Sequence, residues 1–233
     1  MSSYDVLYKV SWLASLHFIV FWSANTALRR HSRADPDSWL ASRTRWYFKD
    51  PVFTYLVVLF GTGIYLPSLY FTAAYSNKTA FWYGAPSTED VGFCLSYAYY
   101  IGHYTEELLF SELSLLSKLH HLGSTVASFH VVLASGWAGC FLTTCFLFEI
   151  GSLAFLLAEF ELFPRKPAIL LNLSTSLVPA VWMFYGVYSQ GLPDVIASVV
   201  LCMVIIAGLM RAREMNSLFW DHSKGNDLKC AQE

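Results

Sequence analysis

The stretch Leu119-His120-His121-Leu122-Gly123-Ser124-Thr125-Val126-Ala127-Ser128-Phe129-His130-Val131-Val132-Leu133 decides the fold, and the apolar run continues to Trp137. At ~1.5 Å per residue it is long enough to cross ~30 Å of hydrocarbon as a helix. Counted from His121, the hydroxyls of Ser124, Thr125, Ser128 and Ser135 stand at +3, +4, +7 and +14, so they share one helical face. A hydroxyl stripe headed by two imidazoles is costly against lipid tails, so that face is expected to turn toward protein or a polar cavity. The segment therefore reads as one member of a helical bundle.

Six more apolar segments extend this reading. The seven spans are predicted at 6–27, 50–75, 91–113, 119–137, 139–161, 167–189 and 192–212. Only Gly136, Trp137, Ala138 and Gly139 separate the fourth from the fifth. Composition agrees: 55% of the 233 residues are hydrophobic and 14% charged, against about a quarter charged in soluble domains. The fold class is thus all-α, a polytopic membrane bundle, with residues 1–233 forming a single membrane domain. The first span lacks a basic leader and contains Lys9, His17 and Asn25, so it is read as retained. A net charge of −2 argues against a nucleic-acid partner, because no basic surface large enough to follow a phosphate backbone is available. The five cysteines show no CxxC spacing and no disulfide framework. Pro67 and Pro179 are expected to kink spans two and six.

Sidedness follows from the basic residues. Arg29, Arg30, Arg33, Arg43, Arg45 and Lys49 fill a basic loop at 28–49. Lys118, Arg165, Lys166, Arg211, Arg213, Lys224 and Lys229 fall on the same side of an alternating seven-span path, leaving Lys9 and Lys78 opposite. The N-terminus is then lumenal, and the 28–49 loop and the 214–233 tail are cytosolic. The sequon Asn77-Lys78-Thr79 falls on the lumenal side. A second, Asn172-Leu173-Ser174, lies inside a span and is discounted.

Two further spans carry polar faces. In the third, Tyr99, Tyr100, His103, Glu106 and Glu107 occupy −4, −3, 0, +3 and +4 about the histidine. Charged carboxylates at mid-membrane cost at least ~2.5 kcal/mol each, so these are expected to line water, pair with histidine or carry protons. The fifth places Cys145, Glu149, Ser152 and Glu159 at 0, +4, +7 and +14. The simplest packing turns the three faces toward one interior, and His130 is expected to reach Glu149.

Four chemistries use such groups. A histidine with a carboxylate orienting its ring serves acyl transfer as base or nucleophile. Histidines and glutamates ligate metals, although His103-x-x-Glu106 reverses the Glu-x-x-His order of di-metal bundles and no HxxxH occurs. A polar stripe passes protons or ions. Interhelical hydrogen bonds also simply hold bundles together. The constellation across three spans favours function over packing alone.

Ser117-Lys118-Leu119-His120-His121-Leu122-Gly123-Ser124-Thr125 resembles the His-His-x-x-Thr element of the TLC-domain family, which includes ceramide synthases and translocating-chain-associating membrane proteins. Tyr99 to Glu107 resembles that family's aromatic-rich third-helix segment, and Phe148-Glu149-Ile150-Gly151-Ser152 its Glu-[Ile/Leu]-Ser element. The resemblance covers about 45–220. It implies a six-helix barrel around a central cavity sized for an acyl chain, in the endoplasmic reticulum, with membrane lipids as partners and no resident cofactor. It also implies His120 and His121 as an acyl-handling pair, with acyl-CoA as co-substrate and a sphingoid base or other lipid amine or hydroxyl as acceptor. Glu106, Glu107 or Glu149 would orient the imidazoles. Tyr99, Tyr100, His103, Ser124, Thr125, Ser128, His130 and Ser152 would line the cavity. Ser124 stands where the motif has Thr, the long synthase motif is absent, and no homeobox-like insert is present. This fits a shorter member active in lipid homeostasis. A non-enzymatic lipid sensor or a cargo receptor is the other reading.

Overall fold

The computed structural model describes residues 3–34, 58–76, 89–110, 115–133, 138–159, 162–189, 198–199, 201–206, 208–210 and 213. Most of the basic loop, the Asn77 sequon and the 214–233 tail lie outside them. Every regular element among the described residues is helical. Helix α1 spans Ser3–Ala34, α2 Leu66–Ser76, α3 Val91–Phe110, α4 Leu115–Leu133, α5 Ala138–Glu159 and α6 Arg165–Ser189. Helical residues 201–206 and 208–210 fall within the seventh predicted span.

The boundaries have local causes. Helix α1 runs past its apolar part through Arg29, Arg30 and Arg33, strong helix formers that carry the turn on into the basic loop. A π-helical stretch, Val58–Tyr65, leads directly into α2, and Pro67 stands at the change. A proline lacks the N–H for its turn and crowds the carbonyl four residues back, so a widened turn there relieves the clash. Asp90 begins α3, its carbonyl accepting the Cys94 N–H at 2.9 Å. Helix α6 has Pro167 in its first turn, where no N–H is needed, and continues through Pro179.

Contacts fix the directions of the helices. Gly102 of α3 faces Ala14 and His17 of α1, while Phe18 and Trp22 reach Phe110 further along, so α1 and α3 run parallel. Helix α2 is antiparallel to α3, because the chain just before it meets Tyr99 at Gly61 while Ala73 meets Gly92. Helix α4 turns back along α3: it begins five residues after α3 ends, and His121, six residues into it, meets Glu107, three residues before the end of α3. Helix α5 is parallel to α3: Tyr97 donates to the Ala138 carbonyl at 2.6 Å, and Tyr104 meets Glu149 further on. This alternation is the order a chain threading back and forth must produce.

The helices approach closely where side chains are small. A Cβ on Gly102 would lie 2.6 Å from the Ala14 carbonyl oxygen, and one on Gly92 2.6 Å from the Ala73 nitrogen. Between α5 and α6, Gly151 abuts Thr175 and its carbonyl accepts the Asn172 amide at 2.9 Å. Small residues at crossings, with polar bonds across them, are how helices associate without help from water. Asn172 is 2% exposed, consistent with discounting its sequon.

Polar side chains are buried alongside the apolar core, while many large apolar side chains are exposed. Asn25, His103, Glu106, Glu107, Ser128 and Ser176 are buried, whereas Trp12, Val20, Ile64, Phe71, Val181 and Tyr185 are exposed. Among the described residues, Tyr4–Ala27 alone passes as a helix long and apolar enough to cross a membrane by itself, while Ala138–Ala154 and Leu201–Met210 are shorter apolar helices. In α3 the inward-facing polar side chains lower the average.

Candidate functional site

Helix α3 is the structural centre of the site, with fourteen of its twenty residues buried. Its polar residues occupy two faces rather than the single face expected. Tyr99 and His103 look toward α1, and Tyr99 also toward the π-helical stretch before α2: the Tyr99 ring meets His17, Phe21 and Tyr65, and His103 stands 5.0 Å from Phe21 between ring centroids. Tyr104 and Glu107 look toward α4 and α5. Successive residues turn by ~100°, so Tyr99, His103 and Glu106 group on one side and Tyr100, Tyr104 and Glu107 on the next. Both lie inside because neighbours surround the helix.

Glu107 joins the two faces. Its Oε2 lies 2.8 Å from Nδ1 of His121, and its Oε1 3.7 Å from Nε2 of His103. Glu107 and His121 thus stand at one level. The reason is the start of α4: it begins at Leu115, about one turn before the predicted span, which brings His121 level with Glu107 near the end of α3.

Tyr104 ties a third helix to this contact. Its hydroxyl donates to Oε1 of Glu149 at 2.7 Å, and its ring packs against His121 with centroids 4.6 Å apart. Glu149 therefore belongs to the level of the histidine pair. His130, its expected partner, is nine residues further along α4, roughly 13 Å by helical rise.

The histidine pair divides its roles. Adjacent positions on a helix point about 100° apart, so while His121 turns to Glu107, His120 turns to a cavity. That cavity, about 170 Å³, lies between α3, α4, α5 and the last helical stretch. An apolar cavity of ~150 Å³ holds a benzene molecule. Tyr104, His120, Ser124 and Thr144 provide its polar wall, while Phe141, Cys145, Phe148 and Val204 make most of it apolar.

Of the side chains expected to line a cavity, Ser124 does so here. Tyr99, Tyr100, His103, Thr125, Ser128, His130 and Ser152 lie outside this one. Ser128 and Ser152 turn their hydroxyls onto their own helices, to the carbonyls of Ser124 at 2.8 Å and Phe148 at 3.2 Å. This i−4 bond is how a serine satisfies itself in an apolar helix. Tyr100 is fully buried, and its hydroxyl has no hydrogen-bond partner among the described residues. Glu106 is fully buried as well.

Sequence reasoning passed over Tyr104, His17 and Met203. Tyr104 is three residues before Glu107, a spacing that places both on one face, about 100° round the helix from His103. His17 bonds the Leu13 carbonyl through Nδ1 at 2.8 Å, which makes that nitrogen the donor and leaves Nε2 to accept from the Tyr65 hydroxyl at 2.9 Å. Nothing in the spacing of a lone histidine signals such a partner.

No family model matches the chain, and neither a curated protein nor a solved structure matches it.

Proposed function

We propose that this chain is a multi-pass protein of an internal membrane, the endoplasmic reticulum by resemblance, that handles long-chain lipids. Three features support the membrane part: alternating helix directions, polar groups turned inward, and large apolar side chains turned outward. In the proposed topology the N-terminus is lumenal and the C-terminus cytosolic.

The single observation that carries the lipid reading is His120 on the wall of a mostly apolar cavity, beside a His121–Glu107 contact of 2.8 Å. An imidazole at the polar end of an apolar pocket suits a molecule with a reactive head and a hydrocarbon tail. With the TLC-domain resemblance, the reaction proposed is acyl transfer from acyl-CoA to a lipid amine or hydroxyl. The acceptor attacks the thioester carbonyl, a C–N or C–O bond forms, and the C–S bond breaks. His120 takes the acceptor's proton and returns it to the departing thiolate. Glu107 holds the ring of His121, and Tyr104 holds Glu149 beside the pair. These are positioning roles.

The test supplies acyl-CoA and a long-chain base to the purified protein. Product formation that His120→Ala abolishes supports acyl transfer. Absence of product, or turnover unchanged by His120→Ala and His121→Ala, refutes the catalytic reading. A lipid sensor or receptor is the alternative. It is favoured if the double-histidine variant restores a normal cellular lipid profile.

A further inference from the structure

The cavity has a floor and a rim of different character. Ala127, Phe141, Thr144 and Cys145 at the floor are all buried. Leu119, Met203 and Ile206 on the rim are 53%, 39% and 55% exposed. The opening therefore lies on the flank of the bundle, between the first turns of α4 and the last helical stretch. Leu122 and Val126 of α4 are exposed as well, so this side of α4 is suited to hydrocarbon rather than water.

One contact narrows this opening. A Cβ on Gly123 would collide with the terminal methyl of Met203 and come within 3.4 Å of its sulfur. The thioether thus occupies the space that glycine leaves free, across the rim. Methionine is unbranched and adaptable, so its end can swing aside without moving either helix. Gly123 and Ser124 lie side by side in the lining, with His120 one turn earlier.

From this geometry we infer that the cavity is a lateral lipid portal, and that Met203 against Gly123 is its movable gate. The occupant is the hydrocarbon tail of a single-chain lipid, entering from within the bilayer, with its polar head left near Tyr104, His120 and Ser124. This rests on the lipid-handling reading above but concerns the route of entry and the residue that controls it.

The test reconstitutes the full chain in phosphatidylcholine vesicles doped with a fatty acid carrying a diazirine near the end of its tail. After irradiation, the labelled peptides are mapped. Wild type should be labelled in α4 and the 201–210 region. Met203→Ala, which widens the rim, should raise that labelling several-fold, and Gly123→Leu, which fills the cavity, should lower it about tenfold. Val181→Ala on the exposed flank of α6 should leave it unchanged. If Gly123→Leu fails to fold, the gain in Met203→Ala still decides the matter. Equal labelling of wild type, Met203→Ala and Val181→Ala would overturn the gate while leaving lipid handling standing. No labelling of the wild-type cavity would overturn both.

Discussion

Replacing Glu107 by alanine removes a carboxylate held between two imidazoles, 2.8 Å from His121 and 3.7 Å from His103. The side chains of Glu107 and His121 are 11% and 14% exposed, so water screens the contact little. At an effective dielectric constant of ~20, unit charges at this separation attract by about 6 kcal/mol, but the cost of withdrawing both from water offsets much of that. Removing Glu107 leaves His121 buried without its partner, and the imidazole sheds its proton rather than stay charged, so the loss is that of a charge-assisted hydrogen bond, about 1.5–3 kcal/mol. In a chain of this size each kcal/mol moves Tm by about 2–4 °C, so Glu107→Ala should lower Tm by roughly 3–12 °C. Glu107→Gln keeps the shape and one hydrogen bond, and should cost less, about 1 kcal/mol. The assay is thermal unfolding of the detergent-purified protein followed by tryptophan fluorescence. Glu107→Ala, His121→Ala and the double variant complete a cycle. The double variant should lose at least ~1 kcal/mol less than the two single losses added together. Strict additivity, or a Tm for Glu107→Ala within about 1 °C of wild type, would refute the claim that this contact joins α3 to α4.

Tyr104→Phe keeps the ring against His121 but deletes the bond to Glu149. A stability loss of about 1 kcal/mol by thermal unfolding is expected for one lost intramolecular hydrogen bond. Gly102→Val would drive side-chain atoms into the α1 backbone at Ala14. It should cost more than the ~1–3 kcal/mol of ordinary overpacking, read as lost yield of monodisperse protein, whereas Gly63→Ala, facing only the Leu153 side chain, should be tolerated. The proposed topology predicts a glycosidase-sensitive mass shift that Asn77→Gln abolishes and Asn172→Gln does not, since Asn172 is buried. A shift that persists in Asn77→Gln would contradict it.

The sequence by itself determined that the described elements are helices, the order in which they follow, and the burial of the polar residues of α3. Hydrocarbon-length apolar runs and a 3.6-residue period are local properties, and a carboxylate or imidazole facing lipid is costly wherever it sits. Hence the burial of His103, Glu106, Glu107 and Ser128 was legible before any coordinates. Tertiary structure alone decided who meets whom. Spacing gives the direction of a side chain but not its neighbour, so one apparent face of α3 resolved into two, each served by different helices. The start of α4 at Leu115 brought His121 to Glu107, and the ~100° step between adjacent residues sent His120 to the cavity instead. Tyr104 gained its place because α4 and α5 both approach it, and Met203 reached the rim from a helix some eighty residues away in sequence. Such contacts depend on how rods cross, a property of the packed bundle that no single segment encodes.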